Sequence, residues 1–256
     1  MRMNWIALAA AAVLLVGCGG GAEKKQAVDT AKRQQEWAQV EALKKTVDAK
    51  RAELATLKAQ AAEGTDVQAQ IETATKEANK LTDELSGKII AYINEDPPVE
   101  GEPLRPDLVP AVRMNSAEGM LVAQEYINLG GDYKKAIDIY NQLLNLDSDN
   151  PDLKAALADA EAKRFMTEER FAAVKKGMSE NEVVAAIGRP LTRNIKDYPA
   201  KKITAWFYPK DDEGNAAGVF YQKKGDQDVV YKADFNFVKA KAPGEEGKEP
   251  EGADPE

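Results

Sequence analysis

Val229-Val230-Tyr231-Lys232-Ala233-Asp234-Phe235-Asn236-Phe237-Val238 decides the fold of the C-terminal third of this chain. Val229, Tyr231, Ala233, Phe235 and Phe237 interleave with Val230, Lys232, Asp234, Asn236 and Val238, and a period of two sends the two sets to opposite faces of a strand. Working outward, Ala217 to Gln222 and Ile203 to Tyr208 read as two further strands. Turn-forming clusters separate the three, at Gly225-Asp226 and at Asp211-Asp212-Glu213-Gly214-Asn215. The second cluster lacks the spacing and the closing Glu of an EF-hand loop, so it reads as a hairpin turn and no metal site is expected. Upstream, Ser179-Glu180-Asn181-Glu182 forms a capping box for a helix with the apolar stripe Val183, Val184 and Ile187. Gly188 and Pro190 stop that helix. The expectation is helices packed on one face of a three-stranded antiparallel sheet, with the other face toward water or a partner.

The stretch before this module is helical. From Ala22 to Ile93, Gly and Pro are almost absent and strong helix formers dominate. Val40, Leu43, Val47, Lys50, Leu54, Leu57 and Ala61 step by three and four, as do Val67, Ile71, Ala74, Ala78, Leu81, Leu85, Lys88 and Tyr92. Gly64 lies between them with Thr65 and Asp66 as candidate caps. These patterns predict an antiparallel coiled-coil hairpin over 36–94, whose returning arm reaches back to Trp37, with 18–35 left as a tether. Five prolines between Glu95 and Pro110 predict an extended linker. After it, Asn115 to Glu118 looks like a helix start. Gly131-Asp132-Tyr133-Lys134-Lys135-Ala136-Ile137, then Tyr140, Leu143 and Leu144, resembles one tetratricopeptide repeat, with Ala136 and Tyr140 at its packing positions and a third helix from Pro151 to about Phe165. The organisation expected is therefore an α+β multidomain chain: signal peptide 1–17, lipidated tether 18–35, coiled-coil hairpin 36–94, Pro-rich linker 95–110, helical repeat 111–166, sheet module 167–240 and a disordered acidic tail 241–256.

At the N-terminus, Arg2, the apolar run Trp5 to Val16 and Leu15-Val16-Gly17-Cys18 form a signal peptide with a lipobox, cleaved between Gly17 and Cys18. The apolar run is shorter than the ~20 residues that span a bilayer as a helix. Cys18 is expected to carry a diacylglyceryl thioether and an amide-linked acyl chain of the palmitate type, the two lipid signals that stable membrane anchoring requires. Gly19, by resemblance to the sorting rule of enterobacterial lipoproteins, implies delivery to the outer membrane, facing the periplasm. The formal net charge is −8, one more negative once Arg2 is removed, which disfavours nucleic acid as a partner. With no histidine and a single cysteine committed to lipid, His-based triads, Cys nucleophiles and His/Cys zinc sites are excluded. No enzyme activity, cofactor or small-molecule substrate is expected.

Val174-Lys175-Lys176-Gly177-Met178-Ser179, Ile187-Gly188-Arg189-Pro190 and Thr204-Ala205-Trp206-Phe207-Tyr208, occurring in that order, resemble the BamE (SmpA/OmlA) family of outer-membrane lipoproteins. The resemblance implies two short helices on a three-stranded antiparallel sheet, and a binding function in envelope assembly with the barrel-assembly machinery as partner. Gly177, Met178, Gly188 and Pro190 are expected to serve turn and cap geometry. Phe207, Trp206 and Tyr208 are the candidate partner contacts, and Phe207, on the face opposite Trp206 and Tyr208, is the better one because an exposed sheet aromatic needs a cover. The alternative reading is a pilotin-like or secretion-assembly lipoprotein working through its helical repeat.

Overall fold

A computed structural model describes residues 30–99 and 102–238. Gly17 and Cys18, most of the expected tether and the expected disordered tail lie outside the described residues. The fold is α+β, with seven helices and one four-stranded antiparallel sheet among the described residues. None of those helices is long and apolar enough to cross a membrane. Two compact units divide the chain at Glu118/Gly119.

The first unit is built on α1 (Thr30–Ala62) and α2 (Gln68–Glu95). Gly64, at φ +91°, turns the chain between them, and the antiparallel pairing is marked by Lys50 Nζ to Glu77 (2.8 Å) and by the Trp37 and Tyr92 rings at 5.4 Å. Val67, not Thr65 or Asp66, occupies the N-cap position, without a side-chain cap. The hairpin also runs further than its heptads predict. Lys32 Nζ bonds Glu95 at 2.5 Å, and Arg33 is buried with its guanidinium 4.1 Å from the Tyr92 ring centroid. The seam is continued there by a cation–π contact, which a count of apolar residues does not register. Residues 30–35 therefore belong to the hairpin and not to a tether.

Helix α3 (Val109–Gly130) starts six residues before the expected Asn115, in a first turn that holds Pro110. Proline is tolerated there because the first N–H groups of a helix have no intrahelical acceptor. Ser116 and Glu118 are instead buried mid-helix. The Glu118 carboxylate accepts from Arg51 Nη1 (3.2 Å) and Nη2 (2.7 Å), and Arg51 Nη2 also donates to Thr82 Oγ1 (3.1 Å). A buried carboxylate needs such pairing, and this pair joins the N-terminal half of α3 to both arms of the hairpin. The division therefore falls inside α3 and not in the proline-rich stretch before it.

In the second unit, the rest of α3 packs with α4 (Tyr133–Leu144) and α5 (Pro151–Arg164) around Ala123, Ala136, Tyr140, Leu153 and Ala160. Asp132 and Asn150 cap α4 and α5 by accepting backbone N–H bonds. A Cβ on Gly119 would lie 2.6 Å from Leu143 Cδ1, so glycine sets how closely α3 meets α4. Next come α6 (Glu168–Phe171) and α7 (Glu180–Ile187), the latter opened by the Ser179–Glu182 capping box.

The sheet is a meander of β1 (Ile195–Tyr198), β2 (Ile203–Pro209), β3 (Ala216–Lys224) and β4 (Gln227–Val238). Four strands replace the three expected. β1 pairs from Ile195 opposite Trp206 to Tyr198 opposite Ile203. Its sequence, Ile-Lys-Asp-Tyr, carries no apolar alternation, because its two apolar residues sit at its ends and face opposite sides. The hairpin turn at 211–215 is as expected: Asp211 Oδ1 accepts the backbone N–H groups of Glu213, Gly214 and Asn215, and Oδ2 accepts from the Asn215 side chain at 2.6 Å.

Candidate docking surface

The side chains of β2 divide between the two faces of the sheet. Trp206 and Tyr208 enter the helix-side core with Phe171, Val174, Val183, Ile187, Val219 and Tyr221. Trp206 stacks at a tilt 4.8 Å from Tyr221, and both it and Tyr208 are almost wholly buried. The Tyr208 hydroxyl donates to the Gly188 carbonyl at 3.1 Å. Burial raises the hydroxyl pKa of both Tyr208 and Tyr221, and burial likewise raises that of the nearby Glu180 carboxyl. Trp206 and Tyr208 are thus core residues and not surface contacts.

Gly177, Gly188 and Pro190 act through the backbone, and Met178 does so while its side chain packs on the helix-side core and its sulfur accepts the Lys175 N–H at 3.1 Å. The Gly177 N–H donates to Val230 O, and Val230 N–H donates to Met178 O, both at 2.8 Å. This holds the loop before α7 against the start of β4. Gly188 caps α7 at φ +85°, and a Cβ there would stand 3.1 Å from the Tyr133 hydroxyl oxygen. At Gly131, φ +63°, a Cβ would lie 2.5 Å from Arg189 O and from the Pro190 carbonyl. The Gly-Arg-Pro turn thus lies directly on the α3–α4 corner, fixed further by Arg170 Nη2 donating to Ile187 O at 3.0 Å.

The other face of the sheet has a core of its own. Ala205, Phe207 and Phe220 are buried there, with Tyr198, Ile203, Ala216, Tyr231, Phe237 and Val238 packed around them at intermediate exposure. Every member is a strand residue, and no described helix contributes a side chain. Phe237 is central, with its ring 4.5 Å from Phe220 in an edge arrangement and 6.0 Å from Phe207, stacked. Such ring geometries add to what area burial alone supplies. Gly218, opposite Phe207 in register, makes the space: a Cβ there would be 2.9 Å from the Phe220 ring and 3.2 Å from Phe237. Lys232 Nζ lies 5.7 and 5.4 Å from the Phe220 and Phe237 centroids, and Lys196 Nζ lies 6.0 Å from that of Phe207.

Phe207 is accordingly 8% exposed, not the open aromatic its alternation suggests. Phe220, Phe237 and Lys196 cover it. The sequence pattern places Phe235 and Phe237 on one face, yet Phe235 joins the helix side and Phe237 the other. The irregularity between the Gly218–Asp234 and Ala216–Val238 pairs is responsible: β4 takes four steps there against two in β3, and Phe237 lies within that excess, where the alternation is broken. The accessible parts of this face are the edges of Phe237, Tyr231, Tyr198 and Val238 and the two lysine ammonium groups. In the sequence, only Gly218, a small residue within an aromatic strand, hints at close ring approach.

No family model, curated protein or solved structure matches the chain.

Proposed function

We propose that this chain is a lipid-anchored, non-enzymatic adaptor of the outer-membrane periplasmic face, and that its C-terminal module docks a protein partner of the barrel-assembly machinery. The observation that carries the reading is the second sheet face, where aromatic rings form a cluster that no described helix covers and lysine ammonium groups stand at its rim. Apolar surface rimmed by charge is the usual composition of a protein-binding patch. The BamE-like motifs support the choice of partner class, and Cys18 with Gly19 supports the anchor and its membrane.

Photocrosslinking tests this directly. A photoreactive phenylalanine analogue at position 237, in cells carrying the full chain, is expected to give a crosslink to a barrel-assembly component, identified by mass. A control analogue at exposed Lys154 on α5 is expected to give none. If position 154 crosslinks such a component and position 237 does not, the sheet face is not the docking surface.

A second reading draws support from Leu121 and Leu129, which are 52% and 57% exposed on α3. They would give a helical-repeat partner an apolar contact, as in a pilotin-like lipoprotein. An envelope defect reproduced by Leu121→Glu with Leu129→Glu, but not by changes on the sheet face, would favour it.

A further inference from the structure

We propose that the acidic C-terminal segment, residues 243–256, docks on this chain's own aromatic face as a tethered, charge-held competitor of the protein partner. The inference rests on reading that face as a docking surface and assigns its regulation. Phe237 and Val238, the last described residues of β4, belong to the cluster, so the chain beyond them departs from the patch itself. Residues 243–256 carry Glu245, Glu246, Glu249, Glu251, Asp254 and Glu256 against Lys248 alone.

The charges on the face are complementary. Lys196 and Lys232 each stand over rings and have no carboxylate partner among the described residues. Asp234, on the same face by its register with Gly218, is engaged in accepting the Asn236 backbone N–H at 2.9 Å. Reach is sufficient. Seven residues separate Val238 from Glu245 and extend to roughly 24 Å, whereas three strand spacings, the distance from β4 to β1, amount to about 14 Å.

The segment contains no apolar side chain larger than alanine and proline. It therefore pairs with the lysines without covering the rings, and the contact is weak and sensitive to salt. Tethering compensates, because a short covalent link holds the segment at an effective concentration on the order of 1 mM. A local dissociation constant of about 0.3 mM would then weaken partner binding roughly fourfold. A partner that buries the rings as well displaces it.

Paramagnetic broadening in the full chain reads the contact. In a Cys18→Ser background, a nitroxide on Ala253→Cys is expected to broaden the Phe237 and Tyr231 ring signals and the Lys232 side chain at low salt. The broadening should disappear at 0.5 M salt, and equally when the six acids are replaced by their amides. No broadening at low salt overturns the proposal, as does broadening that persists with the amide tail. Mixing spin-labelled unenriched chain with isotope-enriched chain lacking the label should leave signals sharp, and broadening there would assign the contact to a second copy and overturn the self-docking. The crosslink at position 237 is independent of these readouts: its loss with broadening intact defeats the partner reading, and its presence without broadening defeats only the tail.

Discussion

Gly131 shows how one atom can join two parts of a fold. Its positive φ alone disfavours any side chain, since Cβ crowds the backbone in the left-handed region at a cost of roughly 1–2 kcal/mol. The larger obstacle is that the Cβ position is occupied by the Arg189 and Pro190 backbone, which belongs to a turn tied down by Tyr208 and Arg170 and is unable to retreat cheaply. Gly131→Ala is therefore expected to destabilise the second unit by about 3 kcal/mol, combining backbone strain with overpacking, as read from urea denaturation followed by Trp206 fluorescence. An unchanged midpoint would mean that the corner is slack. The sequence shows Gly131 only as a turn residue before a helix. That its partner is the Gly-Arg-Pro turn, more than fifty positions away, depends on how the units of secondary structure pack, and nothing local encodes it. Trp206 and Tyr208 are the converse case. Strand alternation alone tells which two share a face, but the side that receives the helices is set by α6 and α7.

Among the elements, those whose physics is local were legible. The α7 capping box, the 211–215 hairpin turn, the hairpin glycine at position 64 and the helices α4 and α5 all follow from residues adjacent in the chain. The features that escaped depend on distant partners: β1 exists because β2 offers it an edge, and Phe237 changes face because bulges in β4 interrupt its alternation. The start of α3 was hidden for a related reason. Asn115 and Glu118 mimic a capping box, but Glu118 is claimed by Arg51 of α1. The β2–β3 hairpin carries a test of its own local chemistry. Four bonds to the Asp211 carboxylate, the Asn215 side chain foremost, hold its pKa below the ordinary aspartate value. A depressed pKa means that the ionised form is favoured in the folded state, so the stabilisation is complete above the unfolded value of about 3.9 and fades as pH falls through the folded one. Carboxyl chemical shifts should place the Asp211 midpoint below the unfolded aspartate value of about 3.9. Asp211→Asn should make the hairpin amide exchange of residues 213–215 less dependent on pH between 5 and 2. An Asp211 midpoint at or above that unfolded value would show that the turn does not hold its charge.

On the scale of the whole molecule, the proposed anchor at Cys18 precedes the first described residue of α1, Thr30, by the twelve residues 18–29. The expectation of a longer tether failed because Arg33 extends the helical pairing toward the N-terminus. A twelve-residue link has a covalent limit of about 40 Å whatever its conformation. If reach is what this link supplies, its length matters and its sequence does not. Replacing residues 20–29 with Gly and Ser at constant length should preserve the position-237 crosslink to the proposed partner, since the hairpin contacts of Lys32 and Arg33 lie outside the replaced stretch. Deleting residues 22–29 removes up to roughly 27 Å of that limit and should abolish the crosslink in cells, while a detergent-solubilised mixture, in which the membrane no longer fixes the anchor, recovers it. A deletion that leaves the cellular crosslink at full strength would show that the docking face meets its partner close to the bilayer, and the link would then be a sorting address alone.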